Sequence, residues 1–206
     1  VNIAATPNII AVHPSFPAKD YKGFLAEIKS HPGKYSYASS GTGGIGHLQT
    51  ELFKSLAQVF IIHIPYRGAG PALNDVVAGQ VPIMFDNLPS ALQLIKAGKI
   101  KGLAVTSSQR SAAVPELPTV EEAAGLKGFE ASSWFGLLAP AGTPMDIVNR
   151  IQQEVAKSLA TPALKERLAA LGAIPSGNTP VQFAALIEAE HKKWAEVVKA
   201  SGAKVD

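Results

Sequence analysis

Residues Ser39-Ser-Gly-Thr-Gly-Gly-Ile-Gly-His47 set three hydroxyls and four glycines between a short strand pattern and a helical pattern. That composition makes an anion site. The first turn of a helix has four N–H groups without intrahelical acceptors at the positive end of the macrodipole, and a carboxylate or phosphate satisfies both. Two further stretches have the same strand-to-helix form. In Pro65-Tyr-Arg-Gly-Ala-Gly-Pro-Ala72, Arg67 can clamp a carboxylate through two parallel hydrogen bonds and Tyr66 can offer a hydroxyl. The third is Phe85-Asp-Asn-Leu-Pro89. Ligands of open α/β sheets sit beyond the carboxyl ends of strands. The candidate ligand-binding residues are therefore Ser40, Thr42, Gly43, Gly44, Ile45, Gly46, His47, Tyr66, Arg67, Gly68 and Asp86, around a small anionic ligand.

Each of these has a purely structural alternative. The glycine loop can be a tight βα turn with nothing bound, and Asp86 and Asn87 can simply cap the helix that contains Pro89. Arg67 can be a solvated or ion-paired side chain, and Tyr66 can belong to the core. His47, one turn into a helix, either lines the site or lies against its edge. What favours a joint site is the repetition of one kind of turn at successive strand ends.

Enzyme chemistry fits less well. Gly41-Thr-Gly43-Gly-Ile-Gly46 matches the G-x-G-x-x-G dinucleotide fingerprint and follows a strand. The acid that should reach the ribose about 20 residues further on is missing, because the chain there reads Phe60-Ile-Ile-His-Ile-Pro-Tyr-Arg67. There is no G-x-S-x-G elbow and no phosphate loop. Glu188-Ala-Glu-His191 is a single E-x-x-H, whereas a di-iron bundle needs two. No catalytic residue, cofactor or metal is expected.

Composition sets wider bounds. With 206 residues, 47% of them hydrophobic, the chain can bury one sizeable core or two small ones. Its apolar runs fall short of the roughly 20 residues that span a bilayer, and no leader pattern begins at Val1, so the chain reads as a mature form or a fragment. The absence of cysteine excludes disulfides and thiolate chemistry. A net charge of +3 with scattered lysines gives no basic stripe, so nucleic acid is not an expected partner.

The elements that must position the site follow from hydrophobic period, which alternates between two and 3.6 residues in the manner of βα units. Strands are expected at Asn8–Val12, Tyr35–Ser39, Val59–Ile64, Val81–Phe85 and Ile100–Thr106. Helices are expected from Asp20 to about His31, at His47–Leu56, Pro71–Ala78 and Leu88–Ala97. A parallel sheet covered on both faces is the expected product. Beyond Ser107 the pattern changes to a short helix at Val120–Ala124 and an extended piece near Phe129–Leu138. Three helices follow, with Thr143 expected to cap the first of them, Thr161-Pro162 opening the second and Thr179-Pro180 the third. These helices need a sheet to cover, and few strand signals remain after Leu138.

Several blocks together carry a family resemblance. Tyr37 to Phe53, Pro65 to Asp75, Gly79 to Ala91, Leu103-Ala-Val-Thr-Ser107, Val114-Pro-Glu-Leu-Pro-Thr-Val120 and Ser133-Trp-Phe-Gly-Leu-Leu-Ala-Pro-Ala-Gly-Thr-Pro144 resemble, in order, the Bug family of periplasmic solute receptors. These are the binding proteins of tripartite tricarboxylate transporters. The resemblance implies an α/β, periplasmic binding protein-like fold of the Venus-flytrap kind, located in the periplasm. Such a protein closes on a small organic carboxylate and delivers it to membrane permease subunits. It also implies that Ser40 to His47 form a ligand loop, that Tyr66-Arg67-Gly68 face the ligand, and that Asp86 stands at the cleft mouth. Gly44-Ile45-Gly46 departs from the pattern, since many members carry Thr or Ser there, and suits an apolar-bodied carboxylate better than a highly charged one. The same lobe would also serve a carboxylate-sensing ectodomain or interaction module that signals to a membrane kinase. A nicotinamide-dependent enzyme is a further alternative, which the missing ribose acid argues against.

Against the family, the chain is expected to be N-terminally short. Residues 8–130 would form a complete second lobe, 131–139 the crossover strand, and 140–206 the helical C-terminal part of the first lobe. If the 206 residues are the whole protein, the cleft has one wall and solute binding is expected to be weak or absent. The apolar faces of Ile147 to Leu159 and Phe183 to Val198 would then favour homo-oligomers.

Overall fold

A computed structural model describes residues 1–126 and 128–203. Its organising element is β1 (Asn2–Val12), a strand long enough to serve two sheets. The second half, Asn8 to Val12, pairs antiparallel with β4 (Ile83–Asn87) on one side and β5 (Lys101–Val105) on the other. On the far side of β4, β2 (Ser36–Ser39) runs parallel to both β4 and β3 (Ile62–Pro65), which gives the order β3-β2-β4-β1-β5.

The sheet is therefore mixed, which corrects the expectation of a parallel sheet. β2, β3, β4 and β5 share one direction, and β1 is slotted between β4 and β5 against both. Ile9, Ile10, Ala11 and Val12 are all buried. A strand covered on both faces shows the same unbroken apolar run whichever way it points, so composition carries no information about direction.

Each face of this sheet has its own helical layer. Ile10, Val12, Tyr37, Ile83 and Phe85 pack with Phe24 and Ile28 of α1 (Tyr21–Ser30), Phe53 of α2 (Ile45–Ala57) and Val120 of α5 (Val120–Ala124). Ile9, Ala11, Ala38 and Met84 pack with Ala72 and Val76 of α3 (Ala69–Val77) and Leu88 and Leu92 of α4 (Leu88–Lys96). The alternation of successive β1 residues between the two clusters is the period-two pleat. Asp20 caps α1 as its position predicts, accepting from the Gly23 amide at 2.8 Å.

The first half of β1 belongs to a smaller sheet. Asn2 to Pro7 pair antiparallel with β6 (Ser132–Gly136), and Ala4 and Ala5 with the two-residue β7 (Ile174–Pro175), which has too little sequence to give a period. α6 (Met145–Ala160), α7 (Pro162–Ala170) and α8 (Pro180–Ser201) belong to this end of the chain. Thr179 and Gln182 form a capping box on α8. The expected cap from Thr143 is not made. Its hydroxyl donates to the Pro140 carbonyl at 2.8 Å, and Pro144 stands at the N-cap of α6 instead. Gly136 on β6 lies directly against the Phe183 ring of α8, which stands edge-on to Trp134 at 5.3 Å. Phe135, Leu138, Ile147, Ile151 and Ile174 remain exposed around this smaller sheet.

Candidate functional site

The three neighbouring parallel strands β3, β2 and β4 end along one edge, and each feeds a helix whose N-terminus points back to that edge. The turns are tied together through the backbone. The Tyr66 amide donates to the Ser39 carbonyl and the Gly68 amide to the Ser40 carbonyl, both at 3.0 Å. Gly68, at φ +106°, is the N-cap of α3, a conformation that glycine adopts and other residues avoid. Gly44 caps α2. Among the described residues, the amides of Ile45 and Gly46 on α2 and of Ala69 and Gly70 on α3 have no backbone acceptor. Two helices, one on either face of the sheet, thus start from these linked turns with open donors in their first turns, and each such N-terminus favours an anion.

Ser40, Thr42, Gly43, Gly44 and Ile45 are half-buried along this edge, Gly46 is buried, Gly68 is half-buried and Arg67 is exposed. Arg67 makes no ion pair among the described residues. The structure brings all of these together. It places three other candidates behind or beside the edge. The Tyr66 hydroxyl donates to the Asp75 carboxylate at 2.6 Å, and burial together with that bond pushes its pKa up to about 12. Asp86 lies under the first turn of α4, 4% exposed and on the opposite face of the sheet from Asn87. Burial raises its carboxyl to about 6, against the opposing pull of the neighbouring Asn87 amide and Ser90 hydroxyl, and Oδ2 has no partner among the described residues.

His47 is buried behind the glycine loop. Its Nδ1 accepts from the Gly43 amide at 3.1 Å, and its ring stacks on His63 with centroids 4.0 Å apart. The Gly43 amide is therefore turned inward. Burial lowers the pKa of His47, and burial reinforced by His47 lowers that of His63 to about 4.

A polar cluster next to this edge escaped sequence reasoning. Asn8, fully buried in β1, donates to Gln49 Oε1 at 2.9 Å and to the Ala131 carbonyl at 3.2 Å, and accepts from the Ser133 hydroxyl at 2.9 Å. Around it Thr6 Oγ1, Gln49 Nε2 and Asn87 Oδ1 are buried without partners among the described residues. Open buried polar atoms mark places where water or a ligand belongs. The available signal was polar residues on apolar faces, Asn8 in a buried strand and Gln49 one turn after Ile45 on α2. Ile45 and Asn87 also line a cavity of about 820 Å³, together with Ser133 and Trp134 of β6 and Ile187 and Trp194 of α8. Its lining is mostly apolar.

Among the described residues no group of three His, Cys, Asp or Glu could hold a metal ion. Glu188 of the E-x-x-H pairs with Lys192 at 2.7 Å. No helix among the described residues is long and apolar enough to cross a membrane.

A profile for the receptor of the tripartite tricarboxylate transporter family matches residues 1–203. Among curated relatives, a UPF0065 protein from the tcbD-tcbE intergenic region of Pseudomonas sp. strain P51 is 40% identical over 199 residues, which are 96% of this chain and 59% of that protein. Protein BugT of Bordetella pertussis is 35% identical over 203 residues, covering 98% of this chain and 62% of its own length. The chain thus spans about three fifths of these relatives. Among solved structures, a periplasmic transporter superposes with a TM-score of 0.93 at 46% identity, over 100% of this chain and 68% of the other. A Rhodopseudomonas palustris protein determined with adipate gives 0.92 at 37% identity, over 98% of this chain and 68% of its own. MatC from the same organism, with bound malate, gives 0.86 at 34%, over 96% and 68%.

Proposed function

Since the chain belongs to the tripartite tricarboxylate transporter receptor family, and its fold is of the periplasmic binding protein type, we propose that it is a periplasmic receptor for a small organic carboxylate. The observation that carries this reading is the pair of helix N-termini that open from the linked turns after β2 and β3, with open amides at Ile45, Gly46, Ala69 and Gly70. The carboxylate docks there, Ser40 and Thr42 add hydroxyls, and Arg67 closes over it from the exposed side. The adipate and malate held by the two R. palustris structures support the ligand class. The apolar side chain of Ile45 and the apolar cavity beside it favour a ligand with one charged end and a hydrocarbon body.

No bond chemistry is required of these residues, and the protein acts as a receptor, without turnover. Binding is reversible, and the loaded receptor hands its solute to membrane permease subunits. Among the described residues, those from 8 to 130 form the lobe that carries the ligand loops, 131–139 cross between lobes, and 140–203 belong to the other lobe, while 127 and 204–206 of the expected ranges lie outside the described residues. On the C-terminal helices Leu159, Phe183 and Val197 are buried, against expectation, and Ile147, Ile151 and Val198 stay exposed; with Phe135, Leu138 and Ile174 these give the chain a motive to self-associate, which sedimentation would dispose of by finding a clean monomer.

Calorimetric titration with adipate, malate and NAD tests the reading. Heat with a carboxylate, abolished by Gly44→Leu in a variant with an unchanged circular dichroism spectrum, is the expected result. Unaltered affinity in that variant would place the ligand elsewhere, and binding of NAD alone would overturn the receptor reading.

A further inference from the structure

The two imidazoles behind the glycine loop form a connected unit. His47 on α2 and His63 on β3 lie 10° from parallel with centroids 4.0 Å apart, and His63 stacks in turn on Tyr37 at 4.8 Å. Each ring reaches a different part of the loop. His47 Nδ1 accepts from the Gly43 amide at 3.1 Å. His63 Nε2 lies 2.7 Å from Ser39 Oγ, and that oxygen accepts from the Gly41 amide at 3.2 Å.

A backbone N–H can only donate, so Nδ1 of His47 has to be the unprotonated nitrogen and Nε2 carries the hydrogen. Nε2 faces Glu51 Oε1 at 3.9 Å. Glu51 is already engaged, by Lys54 at 2.7 and 2.9 Å and by the Tyr37 hydroxyl at 3.0 Å. From α8, Glu196 lines the depression beside Glu51 and Lys54. The carboxylate nearest to His47 is thus largely neutralised and gives the imidazole little reason to protonate.

We propose that His47 and His63 are positioning residues of the anion site, an uncharged stacked pair that holds Ser39, Gly41 and Gly43 so that the amides of Ile45 and Gly46 face the ligand. This deepens the receptor reading and rests on it for its functional meaning. Gly43, at φ +76°, turns its N–H inward to His47, which takes that amide away from the ligand. Protonation at Nδ1 would set an N–H against the Gly43 N–H and release the loop, and a second charge 4.0 Å away on His63 would add repulsion. Burial keeps both rings neutral at ordinary pH.

Asparagine places an acceptor where histidine has Nδ1, and glutamine where it has Nε2. His47→Asn and His63→Gln should therefore keep the loop bonds, and His47→Phe should keep the stack and lose the bond to Gly43. Long-range 1H–15N correlation on the 206-residue chain should find His47 in the Nε2–H form at pH 7.5. The Gly43 amide should exchange about tenfold faster in His47→Phe and at the parent rate in His47→Asn. An Nδ1–H form for His47, or equal exchange in the Phe and parent proteins, overturns the proposal whatever the chain binds. In titrations with adipate and malate, affinity should fall about tenfold in His47→Phe and be kept in His47→Asn. If the parent binds neither probe, the receptor reading loses its ligand while the exchange result still decides the role of the two histidines.

Discussion

The carbonyl oxygen of Phe85 stands 2.7 Å from the point that a Cβ on Gly46 would occupy. The first turn of α2 is thereby pressed onto the end of β4, and that contact brings the glycine loop to the same edge as the turn after β4. Gly46 has ordinary helical φ, so its absence of a side chain serves close approach rather than backbone freedom. Gly44, two residues earlier, has space, since a Cβ there would meet the Gly41 carbonyl at 3.4 Å.

Gly46→Ala should therefore destabilise the chain by about 1–3 kcal/mol, the usual range for overpacking a tight site, because neither the strand end nor the helix start can move alone. Gly44→Ala should stay within about 0.5 kcal/mol of the parent. Urea unfolding followed by circular dichroism separates the two. Equal midpoints would mean that α2 is not seated on β4 as described.

Arg67 is exposed and unpaired among the described residues, so it contributes little to folding. Arg67→Gln should leave the unfolding midpoint within about 0.5 kcal/mol of the parent. If adipate binds, its affinity should fall about tenfold and lose part of its salt dependence, since a charge-assisted bond is replaced by a neutral one. Calorimetry at two salt concentrations reads both effects.

A Cβ on Gly136 would overlap the Phe183 ring, which α8 inserts against β6. Gly136→Ala should loosen the docking of α8 at a cost of about 2–4 kcal/mol, close to that of removing a buried aromatic contact. Trp134 and Trp194, the two tryptophans of the chain, both line the cavity between β6 and α8, so their fluorescence reports on this event. A red shift is expected in the variant. An unshifted spectrum with an unchanged midpoint would remove the contact from consideration.

The parts of this architecture that are local were legible in the sequence. Asp20, Thr179 and the strand-to-helix turns after Ser39, Pro65 and Phe85 depend on neighbours within a few residues, and each stands close to where hydrophobic period and capping chemistry put it. What depended on distant pairing was not legible. The direction of β1 is set by which strands it enters between, and β7 exists only because β1 offers an edge to Ile174 and Pro175. The same limit applies within the site. Ser40, Thr42, Gly44 and Ile45 line the edge, but the Tyr66 hydroxyl is taken by Asp75 and His47 turns inward to Gly43. Asn8, Gln49 and Ser133 meet across more than forty positions of sequence, where spacing has no voice.

Burial of neutral imidazoles makes the fold acid-sensitive. The folded pKa of His63 is lowered from 6.5 to about 4, so its contribution is complete above 6.5 and is lost as pH falls toward about 4, where the unfolded chain binds the proton and the folded one resists it. After a discount for solvent screening of this half-buried ring, the loss should be on the order of 2 kcal/mol. His63→Gln retains the contact with Ser39 and does not titrate, so its stability should fall less between pH 7.5 and pH 4.5. Urea midpoints at the two pH values measure the slope. Parallel slopes in parent and variant would assign the acid sensitivity to other groups.

Asp86 works in the opposite direction across the same window. Its folded pKa is raised from 3.8 to about 6, chiefly by burial, so the stability associated with the neutral carboxyl is complete below 3.8 and is lost as pH rises through about 6. Above that the fold holds an ionised carboxylate that is 4% exposed, with one oxygen unpartnered among the described residues. Asp86→Asn keeps an acceptor for the Asn87 amide and removes the charge. The variant should be more stable than the parent at pH 8 by on the order of 2 kcal/mol, with the gain shrinking at pH 4.5 and gone below pH 3.8. Because His63 loses stability as pH falls while Asp86 loses it as pH rises, the parent's own profile partly cancels. The informative quantity is the difference between variant and parent at each pH. A variant less stable than the parent at pH 8 would mean that the carboxylate is stabilised by a partner at Oδ2, and the same comparison repeated with adipate present would show whether that partner comes with the ligand.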